Sequence, residues 1–182
     1  MSAMSLELFH VGIAVPDLES AMEKWSASYS YAWRPVVERR NMRMFSFGVE
    51  HSISLRRTYS VDGPPYIELV EYDHILWAPG GVLSGTHIGF WVDDMQAEIS
   101  RLRAIDHRLL VSDVVDIESA SPSFAYLSTS SGALIELIPR SRLNQILNVA
   151  GGGQVLSNSE NRNTKSVSCA SAERTLCCNS LF

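Results

Sequence analysis

Two glutamates stand inside apolar segments of strand-forming residues. The segments are Tyr66-Ile-Glu-Leu-Val-Glu71 and Leu134-Ile-Glu-Leu-Ile-Pro139, where a solvated carboxylate would not be expected. Side chains alternate between the two faces of a strand, so Glu68 and Glu136 face away from the isoleucine and leucine on either side of them. Both carboxylates would then point inward, and buried anions need a positive partner because an unpaired charge is costly to bury.

Two histidines, one in each half of the chain, supply suitable partners. The sequence FHVGIAVPDL at residues 9–18 matches THIGFWVDDM at residues 86–95, with His, Gly and Asp in register. In each half of the chain, the histidine lies in the first predicted strand and the glutamate lies in the last. Two imidazoles and two carboxylates suit a divalent ion of the Zn, Ni, Co, Mn or Fe kind, and they leave positions for water or substrate oxygens. The predicted metal ligands are His10, Glu68, His87 and Glu136.

The elements that must position these residues form two similar units. In the first, strand Leu8–Val15 leads into helix Leu18–Ser28, which Asp17 caps. The remaining predicted strands of this unit are Trp33–Arg39, Met42–Phe47, Ile53–Tyr59 and Ile67–Tyr72. The second unit is predicted to contain strands His87–Val92, Leu109–Val111, Val114–Glu118, Phe124–Ser128 and Leu134–Ile138, with helix Met95–Ala104.

This duplication constrains the whole architecture. We predict an α+β fold in which two tandem βαβββ modules, about residues 6–72 and 85–139, form a curled eight-stranded mixed sheet around a cleft. Together they make one domain over residues 1–149. Residues 150–182 are rich in Ser and Asn and carry no periodic apolar face. A segment with so little to bury cannot offset its ordering entropy, so we predict a disordered tail there.

Composition excludes several functional classes. The chain has 182 residues, 46% of them hydrophobic, and a net charge of −5, which argues against nucleic acid as a partner. It contains neither a membrane-spanning apolar run nor a signal peptide pattern. All three cysteines, Cys169, Cys177 and Cys178, lie close to the C-terminus, so the body has no disulfide and no thiolate nucleophile. These features predict a cytoplasmic protein.

The paired openings at residues 9–17 and 87–94 and the closings Ile67-Glu-Leu and Ile135-Glu-Leu resemble the vicinal oxygen chelate superfamily. That superfamily includes glyoxalase I, methylmalonyl-CoA epimerase, extradiol dioxygenases, and fosfomycin and bleomycin resistance proteins. The resemblance covers residues 6–139. It implies the fold described above but not a substrate, since one fold hosts many chemistries.

The ligand set narrows what the resemblance implies. Glu68 matches the fourth ligand of the glyoxalase and epimerase branches, which favours a metal-dependent lyase or isomerase that moves a proton next to a carbonyl through a metal-chelated enediolate. Glu136 and Glu68 are the catalytic candidates, as ligand and base. Two alternatives stay open. One is an Fe(II) dioxygenase that uses His10, His87 and Glu136, and the other is a metal-free small-molecule binder.

Substrate binding is predicted for Arg56, Arg57 and Tyr126. The two arginines sit in one strand near the cleft and are suited to an anionic substrate group. Because consecutive strand residues face opposite ways, one of them must point outward. The expected partner is a small molecule, with neither nucleic acid nor membrane involved, and the sequence leaves open whether the chain forms a homodimer.

Overall fold

The computed structural model describes residues 6–72 and 74–147. Within these residues the fold is α+β, and the order β-α-β-β-β occurs twice before a short helical segment. The first half contains β1 (Glu7–Val15), α1 (Leu18–Tyr29), β2 (Val37–Ser46), β3 (Val49–Tyr59) and β4 (Tyr66–Glu71). The second half contains β5 (Thr86–Val92), α2 (Met95–Ala104), β6 (Arg108–Ser112), β7 (Ala125–Ser128) and β8 (Leu134–Pro139), followed by a 3₁₀ turn (Arg140–Arg142) and α3 (Leu143–Leu147).

The eight strands of the described residues form one mixed sheet that closes into a barrel in the order β1-β4-β3-β2-β6-β7-β8-β5. Each half contributes four neighbouring strands and one parallel pair, β1 with β4 and β5 with β8. The halves meet at two antiparallel seams. The β1–β5 seam extends from Glu7 to Ile13, whereas the β2–β6 seam consists of Phe45 and Ser46 with their partners. The barrel is therefore closed along its length at the β1–β5 seam but only at one end at the β2–β6 seam.

Helices α1 and α2 begin as the sequence predicts. The Asp17 carboxylate accepts a hydrogen bond from the Ser20 amide, and the Asp94 carboxylate accepts one from the Ala97 amide. Both contacts satisfy amides that have no partner within the helix. Each helix then buries its apolar face on the outside of the barrel. Leu18 of α1 packs with Leu69, and Ile99 of α2 belongs to one cluster with Leu137.

The barrel has its own core, separate from the layers under the helices. It includes Leu55 and Val70 from the first half and Val111 and Leu134 from the second. The segment between the halves also enters this core, because Trp77 is 2% exposed and packs in the same cluster. The connection between the modules is therefore part of the fold and closes one region of the barrel interior.

Two local predictions differ from the structure. Strand β2 joins the strand predicted at Met42–Phe47 with the second half of the one predicted at Trp33–Arg39, and Arg40 and Asn41 stand opposite a single residue of β3. Residues 34–36 are not in a strand, and Trp33 forms an isolated bridge with Ser60. The strand predicted at Val114–Glu118 is wrong, since this segment forms bends and turns. Asp116 explains the second difference, because its side chain accepts a hydrogen bond from the Glu118 amide and closes a turn.

The tail predicted at 150–182 lies outside the described residues, so its disorder stays a prediction. None of the helices within residues 6–72 and 74–147 is long and apolar enough to cross a membrane.

Candidate metal centre

The register of the sheet brings the four predicted ligands to one place inside the barrel. Glu68 pairs with Gly12 across β4 and β1, and Gly12 pairs with His87 across the β1–β5 seam. A second row of neighbours has the same arrangement with the two halves exchanged. His10 pairs with Gly89, and Gly89 pairs with Glu136. Each half thus supplies one histidine and one glutamate, and each histidine lies opposite a glycine of the other half.

Those two glycines make the convergence sterically possible. A Cβ atom built on Gly12 would overlap the His87 ring, and one built on Gly89 would overlap the His10 ring. Neither glycine has a positive φ angle, so the requirement is for space and not for an unusual backbone conformation. The glycines that recur in both sequence motifs therefore make room for imidazoles that cross the seam between the two halves.

We expect Gly89→Ala to weaken metal binding, because the His10 ring must leave the site to accommodate the new methyl group. Overpacking of this kind also costs about 1–3 kcal/mol of unfolding free energy. Calorimetric titration with Zn²⁺ and thermal denaturation check both effects. The control is Ile88→Ala, which changes a neighbouring, 38% exposed side chain. Equal Zn²⁺ affinity in Gly89→Ala and wild type would contradict the steric role.

The distances within the quartet match a shared cation. His10 Nε2 lies 3.0 Å from His87 Nε2 and 3.1 Å from Glu136 Oε2. His87 Nε2 lies 3.2 Å from Glu68 Oε2, and the two remaining histidine–glutamate pairs are 3.4 Å apart. Ligands about 2.0–2.2 Å from one metal ion, at angles between octahedral and tetrahedral, lie about 2.8–3.6 Å from each other. These five separations, from 3.0 to 3.4 Å, fall within that range and fit one ion between the ligand atoms.

The charges of the site also fit a cation. All four ligand side chains are at most 4% exposed. Burial alone would raise the pKa of Glu68, but His10, His87 and Arg57 outweigh burial and lower the pKa to about 2. The pKa of Glu136 is lowered in the same way, by hydrogen bonds to the two histidines. Burial opposes a charge on His87 too, yet the two glutamates raise its pKa to about 9.

This arrangement holds two carboxylates and attracts a positive charge between them. The buried Glu136 Oε2 atom lies 3.1 Å from His10 Nε2 and 3.4 Å from His87 Nε2. Without a metal ion, a proton on His87, whose pKa the two glutamates raise to about 9, supplies compensating charge. With one, the neutral imidazoles and the carboxylates become ligands, as metal binding requires. The quartet of His10, Glu68, His87 and Glu136 could therefore bind a divalent metal ion.

Arg57 holds the carboxylate of Glu68 by a hydrogen bond to the oxygen that does not face the histidines. Its Nη1 atom donates to Glu68 Oε1 at 2.9 Å and contacts the Tyr59 hydroxyl at 3.0 Å. Glu68 Oε2 is left to face the histidines. A ligand that is hydrogen-bonded in this way keeps its orientation, and such contacts around a metal site affect affinity strongly. The two glutamates are therefore not equivalent, since no arginine within residues 6–72 and 74–147 pairs with Glu136 in this way.

A cavity of about 210 Å³ leads from the open part of the β2–β6 seam to Glu136. Tyr126 and Arg57 line its inner part, and burial raises the pKa of the Tyr126 hydroxyl well above 10. This hydroxyl therefore stays protonated. Of the four candidate ligands, Glu136 is the one that lines the cavity in the described residues. A small molecule that enters the cavity would therefore reach the quartet at Glu136.

Two neighbouring arginines of β3 have different surroundings. Arg57 points into the barrel, as described above. Arg56 lies on the outer face, where Nη1 donates to Glu71 Oε2 at 2.6 Å and the guanidinium also pairs with Glu19 of α1. Sequence reasoning did not single out three further cavity-lining arginines, Arg39, Arg43 and Arg142. Arg39 lies at the end of a predicted strand, and no sequence pattern predicts the bulge that follows it. Arg142 lies beyond the second repeated unit.

The sequence of residues 9–126 matches the model of the "Glyoxalase/Bleomycin resistance protein/Dioxygenase superfamily". The chain belongs to this superfamily. The match spans both histidines and Glu68 and ends before the last strand. A search of the curated proteins found no match.

Solved structures with the same fold include two kinds of protein. A hypothetical protein from Bacillus halodurans C-125 is 18% identical, with a TM-score of 0.53 over 75% of this chain and 95% of that chain. A variant methylmalonyl-CoA epimerase from Streptomyces coelicolor, in complex with 2-nitronate-propionyl-CoA, is 20% identical, with a TM-score of 0.51 over 74% of this chain and 95% of that one. At these identities the likeness establishes that this superfamily member shares their fold.

Proposed function

We propose that this superfamily member is a metal-dependent lyase or isomerase that transfers a proton next to a carbonyl group. The observation that carries the proposal is the buried quartet, whose ligand atoms lie within 4.8 Å of one another at the inner end of a small-molecule cavity. A divalent ion held by the quartet would act as a Lewis acid on the substrate carbonyl, which makes the neighbouring C–H group more acidic.

Three residues, Glu136, Glu68 and Tyr126, have separate roles in the proposed reaction. Glu136 is the carboxylate of the quartet that lines the cavity, so it is placed to accept the proton. Glu68 is held by Arg57 and would help to hold the metal ion and offset its charge. Tyr126 keeps its proton and can donate a hydrogen bond to a substrate oxygen. The apolar walls, which include Leu55 and Phe124, limit water around the reacting carbon.

The likeness to methylmalonyl-CoA epimerases guides the choice of substrates to try. A 2-hydroxy ketone, a hemithioacetal and an acyl thioester each have an acidic C–H group beside a carbonyl or an equivalent centre. The test incubates the protein with each compound in deuterated buffer, after loading with Zn²⁺, Ni²⁺, Co²⁺, Mn²⁺ or Fe²⁺. We expect metal-dependent deuterium incorporation at that carbon, and we expect a chelator to abolish it.

Two results would contradict this function. Absence of exchange in all metal-loaded samples would remove the lyase or isomerase assignment. Consumption of O₂ by the Fe²⁺-loaded protein, with cleavage of a catechol-type substrate, would identify a dioxygenase instead. Bound metal content is measured in the same samples, so that a sample that failed to load is not counted as inactive.

A further inference from the structure

Four arginines surround the cavity, but only two of them have an acidic partner. Arg57 pairs with Glu68, and the largely exposed Arg43 lies 4.0 Å from Glu50. The other two are Arg39 on β2 and Arg142 on the 3₁₀ turn. No salt bridge joins either of these to an acid within the described parts of the chain. Arg39 and Arg142 therefore face the cavity without an acid in salt-bridge contact, although Asp113 and Glu136 also line it.

Arg39 has the fewest partners of the four. Its side chain forms neither a hydrogen bond nor an ion pair with another residue in 6–72 or 74–147. Its backbone pairs with Leu55, a buried residue of the cavity wall, and this register directs the Arg39 side chain toward the same side of the sheet. Burial lowers the pKa of Arg39, and the charges of Arg57 and Arg142 lower it further. An anion beside Arg39 would relieve this repulsion.

Arg142 is positioned by neutral groups. Its Nη1 atom donates to the Ser123 carbonyl oxygen at 2.9 Å, and its Nε atom donates to Gln145 Oε1 at 3.1 Å. These contacts fix the guanidinium without cancelling its charge. The nearby carboxylate of Asp113 accepts a hydrogen bond from the Ser123 amide at 2.9 Å. Burial and the charge of Arg57 lower the pKa of Arg142, and the charge of Asp113 opposes them without a salt bridge in the described parts of the chain. Arg142 is therefore held in place with its charge available to a ligand.

We propose that Arg39 and Arg142 bind an oxyanion group of the substrate, a carboxylate or a phosphate. The substrate is then a small acid whose carbonyl lies beside Glu136 and whose anionic group lies between the two guanidinium groups. Placing the carbonyl there rests on the proposed function. Guanidinium groups suit this task because their planar donors match carboxylate and phosphate oxygens. A cavity of about 210 Å³ accommodates a small metabolite.

The size of the cavity adds a further restriction on the substrate. Pockets for drug-sized ligands are about 300–1,000 Å³, which is larger than this cavity. A bulky carrier group, if the substrate has one, must therefore remain outside the barrel. The oxyanion that the two arginines recognise belongs to the small reacting part of the substrate and is a determinant of specificity.

The test measures anion binding by calorimetry in metal-free protein. The probes are malonate and inorganic phosphate, and malonamide is the uncharged analogue of malonate. We expect saturable binding of at least one anion, with malonamide binding at least 10-fold more weakly. Arg39→Gln and Arg142→Gln should each weaken anion binding at least 10-fold, because each loses charge-assisted hydrogen bonds. Preference for malonate or for phosphate identifies which oxyanion the site selects.

The matched control is Arg40→Gln, which removes an arginine that is 74% exposed on the same strand and should leave anion affinity unchanged. The Arg39 side chain makes no hydrogen bond with the described residues, so Arg39→Gln removes no such contact from the fold. This variant remains informative if Arg142→Gln unfolds. Equal anion affinity in Arg39→Gln and wild type, binding of neither anion, or equal binding of malonamide would overturn the proposal. Because no metal is present, these results are independent of failed metal uptake, which would instead count against the proposed function.

Discussion

Glu136→Gln is expected to lower deuterium exchange into a substrate by about 10²–10⁴-fold, the usual contribution of a general base. An amide oxygen can still coordinate a metal ion, but an amide cannot accept the proton. The variant should therefore retain most of its metal affinity and lose its activity. Exchange measured by mass spectrometry, with metal content determined in the same sample, separates these two effects.

Glu68→Gln is the matched comparison. Its side chain has the same length and also faces the histidines, but it does not line the cavity in the described residues. Its expected loss of activity is smaller than that of Glu136→Gln. Full exchange activity in Glu136→Gln would exclude Glu136 as the base and assign the proton transfer to another residue. Release of Fe²⁺ from Glu136→Gln but not from Glu68→Gln would instead agree with a dioxygenase site.

His10→Ala and His87→Ala are each expected to abolish tight binding of the divalent ion. Each substitution removes one coordinate bond and leaves two buried carboxylates with less compensating charge. Wild type should bind about one ion per chain, and each variant should bind none at the same free metal concentration. Metal analysis after purification without chelator, followed by titration of the apoprotein, measures this difference.

Two exposed or half-buried histidines outside the quartet provide controls. His51 and His107 have no counterpart in the other half, and His51→Ala and His107→Ala should leave the metal content unchanged. A variant at His10 or His87 that is folded by circular dichroism but still binds one ion would show that the quartet is not the site.

The sequence alone predicted the fold because its strongest signals are repeated. Matching histidine, glycine and aspartate positions indicate two copies of one unit, and apolar alternation around Glu68 and Glu136 indicates which face is inside. The structure confirms the α+β barrel and brings His10, Glu68, His87 and Glu136 together. Repetition made these predictions reliable, because independent local patterns had to agree.

Local strand predictions failed where side chains determine the chain path. Residues Val114–Glu118 include apolar, β-branched residues, which favour a strand. The hydrogen bond that the Asp116 side chain accepts within its own turn nevertheless determines the backbone conformation there. Similarly, the segment between the two halves has no repeated motif, yet the indole of Trp77 is buried in the barrel core. Such packing depends on space that both halves create together, and neither half encodes it alone.

What the sequence determined by itself is the set of residues that recur in both halves, together with the faces on which they lie. Only the tertiary structure decided what each arginine contacts. Strand alternation requires that Arg56 and Arg57 face opposite ways, but it does not say which faces inward. The incomplete β2–β6 seam then opens a cavity that Arg39 and Arg142 share. These two are more than 100 residues apart in sequence, and their proximity arises because the barrel closes between them, which no local pattern specifies.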